Sequence, residues 1–249
     1  MKDCVIFAAW VPYIHRFQIY IDLIKQNYSD CDVFVGINPN SHPQTETILR
    51  ANGINNIIHV NSELAVNSDA SAFQAALSLY KTSNKDYRYV YFIHTKGMSY
   101  NSESQWKVSR ESYFDSFITK RHQCEQLLAP DDVGGCGLVA NFCWTMYNSD
   151  YVKYVTNFID TPYKNVQNIL WLTTHYVMKN ECVKYFVDNC NPQFFTTNLK
   201  DRYYFESSFP LIVELTFKKK RECCIYWDDN IDKNYDIMIK DWNNRKDHI

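Results

Sequence analysis

The residues best suited to chemistry sit at the end of one apolar run. Tyr89-Val90-Tyr91-Phe92-Ile93 leads straight into His94-Thr95-Lys96-Gly97. The run is short, continuous and rich in aromatic and β-branched residues, so it predicts a buried central strand. His94 to Gly97 then set an imidazole, a hydroxyl, an ammonium and a glycine at the strand's C-terminal end. Ligands bind at that edge of open α/β sheets. A lysine there can neutralise a phosphate, and a glycine lets the backbone come close to it. His94 and Lys96 are therefore the candidate catalytic groups, with Thr95 and Gly97 beside them. A strand that merely ends in a polar turn is the alternative. Val5–Trp10 ends in Ala8-Ala9-Trp10, where the indole is suited either to stack on a base or to pack the first helix.

The elements that must carry these residues read clearly over the first hundred positions. Val5–Trp10, Asp32–Asn38, Asn56–Val60 and Tyr89–His94 read as strands. Between them lie helical periods over Ile14–Ile24, Thr45–Ala51 and Ser71–Tyr80, the second closed by Asn52-Gly53. A β-α-β-α-β-α-β order predicts an α/β fold with a mostly parallel sheet and helices on both faces. Beyond it the signal weakens. Ser104–Leu128 and Pro162–Met178 read as helices, Gly134–Ala140 as a glycine-rich approach to a strand, and Val183–Val187 and Leu211–Phe217 as strands. No repeat, low-complexity segment or linker divides the chain, so it reads as one domain over 1–249, with a break near residue 100 between two functional halves.

Bulk properties narrow the function. The 249 residues, 46% hydrophobic and 16% aromatic, suffice for a full core. With 26 basic and 28 acidic residues the formal net charge is −2, which implies no nucleic-acid surface. Nine cysteines without a Cys-x-x-Cys pair suggest reduced thiols in a cytosol-like compartment rather than zinc ligands. The first apolar run stops at Pro12, too short for a signal-peptide core, and no run reaches membrane-spanning length. A soluble cytoplasmic protein is expected. A Gly-x-Gly-x-x-Gly after the first strand, a Walker loop, a Gly-x-Ser-x-Gly elbow and a His-Glu-x-x-His are all absent.

Several motifs together carry a resemblance. They are Asn67 with Phe73, Tyr91-Phe92-Ile93-His94-Thr95-Lys96-Gly97, Trp106-Lys107-x-x-Arg110 with Tyr113-Phe114, and Ala140-Asn141-Phe142-Cys143-Trp144. Over residues 60–155 the chain resembles a glycosyltransferase family of bacteria and large viruses, similar to the rhamnan-synthesis type. The resemblance implies a GT-A-like, Rossmann-related fold. It also implies a nucleotide-sugar donor, UDP-type favoured, and a glycan or polysaccharide acceptor. The chain departs from the family pattern in three places. Lys107 follows Trp106 where the family has arginine, and Ala140 and Cys143 replace a glycine and a tryptophan. Asn168 stands where a glutamate is usual before Trp171.

The resemblance distributes roles. Residues 1–100 become the donor half, with Ala8, Trp10, Asn38, Asn67, Asp69, Thr95 and Gly97 around the nucleotide. Residues 101–249 become the acceptor half, with Trp106, Arg110, Asn141 and Trp144 facing the acceptor. Most GT-A enzymes hold a divalent metal on an Asp-x-Asp at the fourth strand's end. Here His94-Thr95-Lys96 takes that place, so either Lys96 supplies the charge or His94 ligates manganese or magnesium. Lysine is preferred, because no carboxylate adjoins it, and no metal ligand is assigned. A base for the acceptor hydroxyl is sought among Asp131, Asp132 and Glu206, with Asp132 favoured. A binding module for nucleotide sugar or glycan, without catalysis, is the rival reading. The basic run Lys218-Lys219-Lys220-Arg221 reads as a solvated strand end.

Overall fold

The computed structural model describes residues 1–61, 69–138, 175–189 and 212–223. Its first part alternates as the periods predict: β1 (Lys2–Ala9), α1 (Ile14–Tyr28), β2 (Asp32–Ile37), α2 (Thr45–Ala51), β3 (Asn56–His59), α3 (Asp69–Ser83) and β4 (Tyr87–His94). Next come α4 (Glu103–Ser109), a π-helical turn at Arg110–Asp115, α5 (Ser116–Ile118), α6 (Arg121–Leu128) and β5 (Val133–Gly137). The last described elements are β6 (Tyr176–Lys179), α7 (Asn180–Asn189), a second π-helical turn at Ile212–Thr216, and β7 (Lys220–Cys223).

The seven strands among the described residues form one sheet in the order β3-β2-β1-β4-β6-β5-β7. β1 pairs in parallel with β2 and β4, β2 with β3, and β5 with β7, whereas β6 runs antiparallel to both β4 and β5. The fold is α/β and mostly parallel. β4 lies between β1 and β6, and Val90, Tyr91, Phe92 and Ile93 are fully buried, as their composition requires. Period-2 alternation divides its side chains between two cores. Val90 and Phe92 pack with Phe73 and Ala76 of α3 and Val183 of α7. Tyr91 and Ile93 face Phe17 and Tyr20 of α1 with Phe114 and Phe117. Helices thus cover both faces.

Gly36 shows how closely α3 lies on β2: a Cβ there would fall 1.9 Å from the Ala72 carbonyl oxygen. The chain steps from β1 to β2 to β3 on one side, then crosses to place β4 on the other side of β1. The crevice between the carboxyl ends of β1 and β4 is therefore the topological switch point, the position where open α/β sheets bind ligands.

Four expectations are corrected. The helix expected over Ser104–Leu128 is broken, first by the π-helical turn, which the Arg110 Nε bond to Asp115 Oδ2 five residues on (3.0 Å) spans, and again near Lys120. Tyr176, Val177 and Met178, expected to end a helix, belong to β6, and residues 162–174 lie outside the described ones. Val183–Val187 belongs to α7 instead of a strand, because Cys182, Val183 and Phe186 fall on one helical face against the core. Ile212–Thr216 is a π-helical turn, not a strand. Among the described residues no helix is long and apolar enough to cross a membrane. Cys4, Cys31, Cys124, Cys136 and Cys182 are buried.

Candidate functional site

Thr95 ties the ends of β1 and β4 together. Its Oγ1 donates to the Trp10 carbonyl at 2.8 Å and accepts from the Trp10 amide at 3.0 Å, while its own amide donates to the Ala8 carbonyl at 3.2 Å. Asn38 joins β2 to the same edge, its amide donating to the Ala9 carbonyl at 2.9 Å. Thr95, Ala8 and Asn38 are all buried, so their observed contacts are those of the crevice floor. Trp10 is only half-buried, yet its indole Nε1 is buried with no hydrogen-bond partner among the described residues.

His94 is 3% exposed, and its Nδ1 lies 3.0 Å from Oδ2 of Asp69, the first residue of α3. The acid also suits the positive end of the helix dipole. A carboxylate facing Nδ1 favours a proton on that nitrogen, which leaves Nε2 as an acceptor. Nε2 is buried without a partner among the described residues. The ring of His175, just before β6, lies 4.6 Å from the His94 ring, centroid to centroid.

The strand then turns sharply. Gly97 has φ +91°, and a Cβ there would press on the Trp106 carbonyl oxygen at 3.0 Å, so glycine is required on both counts. The Tyr20 hydroxyl donates to the Lys96 carbonyl at 2.5 Å and accepts from the Trp106 indole at 2.9 Å. Burial pushes the Tyr20 phenol well above its ordinary pKa, so it remains a hydroxyl donor. Arg16, 4% exposed, donates to the carbonyls of Tyr100 (2.7 Å) and Asn101 (3.2 Å). The Arg16 and Arg110 guanidinium groups each lie 4.9 Å from the Trp106 ring centroid. Lys96, half-buried, holds its Nζ 5.1 Å from the Tyr113 ring centroid.

The crevice thus gathers Ala8, Trp10, Asn38, Asp69, His94, Thr95, Lys96 and Gly97 at one edge. Trp106 and Arg110 lie in the support beneath the Lys96 turn, 4% and 8% exposed. Asp132 is not brought to this edge. It is exposed, pairs with Lys220 at 2.6 Å and immediately precedes β5, which runs parallel to β4. By the strand register it lies roughly 20 Å along the sheet from His94. Its carboxyl is held below the usual range by the Lys220 hydrogen bond. Lys219 of the same basic run is paired too, with Glu181. Asn67, Asn141, Trp144 and Glu206 lie outside the described residues. No group of three His, Cys, Asp or Glu among the described residues is arranged to hold a metal ion. Sequence reasoning missed Tyr20, Arg16 and His175, and it named Tyr113 as a motif residue without a role. Tyr20 shares the helical spacing of Phe17 and Ile24, so it reads as core, and only the fold reveals where its hydroxyl goes.

No family model and no curated protein matches the chain. Among solved structures it is similar to glucosyl-3-phosphoglycerate synthase from Mycobacterium tuberculosis in complex with uridine diphosphate. That likeness has 12% identity and a TM-score of 0.46, covering 93% of this chain and 74% of that one. The same enzyme with Mn2+, UDP-glucose and glycerol 3-phosphate gives 12% identity and a TM-score of 0.48, over 93% and 74%. S. aureus TarS gives 12% identity and a TM-score of 0.38, over 84% of this chain and 55% of that one. Likenesses this distant assign no activity to this chain.

Proposed function

We propose that this chain is a glycosyltransferase of GT-A-like build, moving a hexosyl or pentosyl group from a nucleoside-diphosphate sugar to a hydroxyl of a glycan or polysaccharide. UDP is the favoured nucleotide, residues 1–100 form the donor half and residues 101–249 the acceptor half. One observation carries the reading. His94, paired with Asp69, and Lys96 stand at the carboxyl end of β4, and Trp10 follows that of β1, beside the switch point between the two strands. The motif resemblance across residues 60–155, which includes these strand-end residues, supports it too.

The chemistry is governed by charge. As the glycosidic bond to the donor breaks, negative charge builds on the departing diphosphate, and stabilising it is the main catalytic task. The Lys96 ammonium supplies fixed positive charge there. Manganese or magnesium bound with the donor is carried as the alternative source of that charge, and the described residues hold no group of three ligands for it. The Trp10 ring offers an aromatic face for the base, and the Asp69-oriented imidazole of His94 offers an acceptor nitrogen.

A binding module without turnover is the second reading. It is favoured by the placement of carboxylates: Asp69 is engaged by His94, and Asp132 sits at the far edge of the sheet. One pair of measurements separates the readings. A nucleoside diphosphate at a hundredfold excess over its Kd should stabilise the protein by about 2.7 kcal/mol, seen as a raised Tm. Incubation with radiolabelled UDP-sugar and a glycan mixture should release UDP and label the glycan. A Tm shift without turnover supports the binding module. No shift with any pyrimidine or purine diphosphate, with or without manganese, rejects the donor site.

A further inference from the structure

We propose that Tyr113 is a positioning residue for Lys96: its ring seats the ammonium and aims it at the crevice. The inference rests on the proposed function in taking Lys96 as the cation that meets the diphosphate. The backbone around Lys96 is already fixed. Its amide donates to the His94 carbonyl at 2.7 Å, its carbonyl accepts from Tyr20 at 2.5 Å, and Gly97 turns the chain with φ +91°. The side chain beyond that backbone is a flexible four-carbon stem. The Tyr113 ring, 5.1 Å from Nζ, restrains that stem.

A ring suits the task better than a carboxylate would. Its quadrupole attracts the ammonium, yet the ring adds no negative charge of its own that would neutralise it. The helix carrying Tyr113 fits the same purpose. Tyr113 lies inside the π-helical turn Arg110–Asp115 that succeeds α4. One added residue rotates everything after it by about 100° relative to a regular α-helix. Without the wide turn, the side chains beyond it would meet different neighbours. The Arg110 Nε bonds to Asp115, at 3.1 and 3.0 Å, brace the turn from end to end, and Arg110 is itself stacked on Trp106. Short π segments of this kind recur at functional sites.

The test uses the full chain with ¹³C-labelled lysine, the Lys96 signals being identified by their loss in Lys96→Arg. In the wild type the ring should shift the Lys96 ε-methylene protons upfield. Tyr113→Leu should abolish the shift, and Tyr113→Phe, which keeps the ring, should restore it. Calorimetry with UDP should show Kd raised about two- to fivefold in Tyr113→Leu and returned to the wild-type value in Tyr113→Phe. Identical Lys96 signals in all three proteins would overturn the proposal. So would a Kd for UDP unchanged in Tyr113→Leu. The upfield signature in a wild type that binds no nucleoside diphosphate would keep the seat and reject the proposed function. Should Tyr113→Leu fail to fold, Tyr113→Phe against wild type still decides, because loss of the upfield shift with the ring retained contradicts a ring-based seat.

Discussion

At the scale of single residues, the crevice separates groups that bear charge from groups that hold backbone. Thr95, Ala8 and Asn38 join strand ends, whereas Lys96 alone among the four residues His94–Gly97 brings a formal positive charge irrespective of proton uptake. Lys96→Ala should therefore lower kcat for sugar transfer by thirty- to a thousand-fold, by analogy with losing one preorganised donor worth about 2–4 kcal/mol in the transition state. Circular dichroism should be unchanged, since the Lys96 contacts to Tyr20 and His94 are made by its backbone. A chelator should leave wild-type turnover nearly unaltered. A Lys96→Ala protein with normal kcat and normal donor affinity would remove the motif from the mechanism. Strong chelator inhibition would transfer the charge-stabilising role from Lys96 to a metal.

At the scale of elements, two glycines fix how helices meet strands. Gly36→Ala would drive its Cβ to 1.9 Å from the Ala72 carbonyl, so α3 must lift off β2. The expected cost is about 3 kcal/mol, the upper part of the range for overpacking, read as a lower urea midpoint. Gly97→Ala combines a positive φ with a 3.0 Å contact to Trp106 and should cost about 1–3 kcal/mol. The urea midpoint of each variant checks these values, and a Gly36→Ala midpoint equal to wild type would contradict the close approach. The same elements show what sequence reveals. β1 to β4 were legible because strand and helix periods alternate without interruption and each strand run is apolar. β6 was not, because its four residues obey no period that distinguishes them from a helix end. In α7 the β-branched Val183 and Val187 gave a strand-like local signal that burial against β4 overrides. The π-helical turns have no sequence period at all. At the site, His94 and Lys96 could be read from one strand end. The partners that orient them, Asp69, Tyr20 and Tyr113, arrive from distant elements and are set by the crossover of β4 beside β1.

At the scale of the molecule, the sheet separates function and stability onto opposite edges. The crevice lies at the carboxyl ends of β1 and β4, and a network of ion pairs closes their amino ends. Asp3, 2% exposed, takes Arg88 at 3.0 and 2.8 Å and Arg121 at 3.1 Å, and Arg121 also reaches Asp30. Beside it Asp32 accepts from Lys2, Lys85 and Tyr87 at 2.6, 2.9 and 2.9 Å. The hydrogen bond from Arg121 lowers the Asp30 carboxyl to about 2. Burial opposes ionisation of Asp32, but the bonds from Lys2, Lys85 and Tyr87 outweigh it and hold that carboxyl at about 2 as well. Both folded-state values lie below the unfolded one, near 4. The stability these groups add is complete above that unfolded value and is lost as pH falls from about 4 to about 2, where the folded carboxylates themselves protonate. Asp115 acts in the opposite sense. Burial raises its carboxyl against the pull of Arg110, so protonation costs the folded state less there. An Asp30→Asn/Asp32→Asn protein should be less stable than wild type at pH 7, by a modest amount because Asp30 is largely exposed and screened by solvent. It should then lose less further stability than wild type between pH 4 and pH 2. Urea unfolding at pH 7, 4 and 2.5 checks this. Parallel acid limbs for the two proteins would show that the amino-terminal edge does not carry the acid sensitivity of the fold.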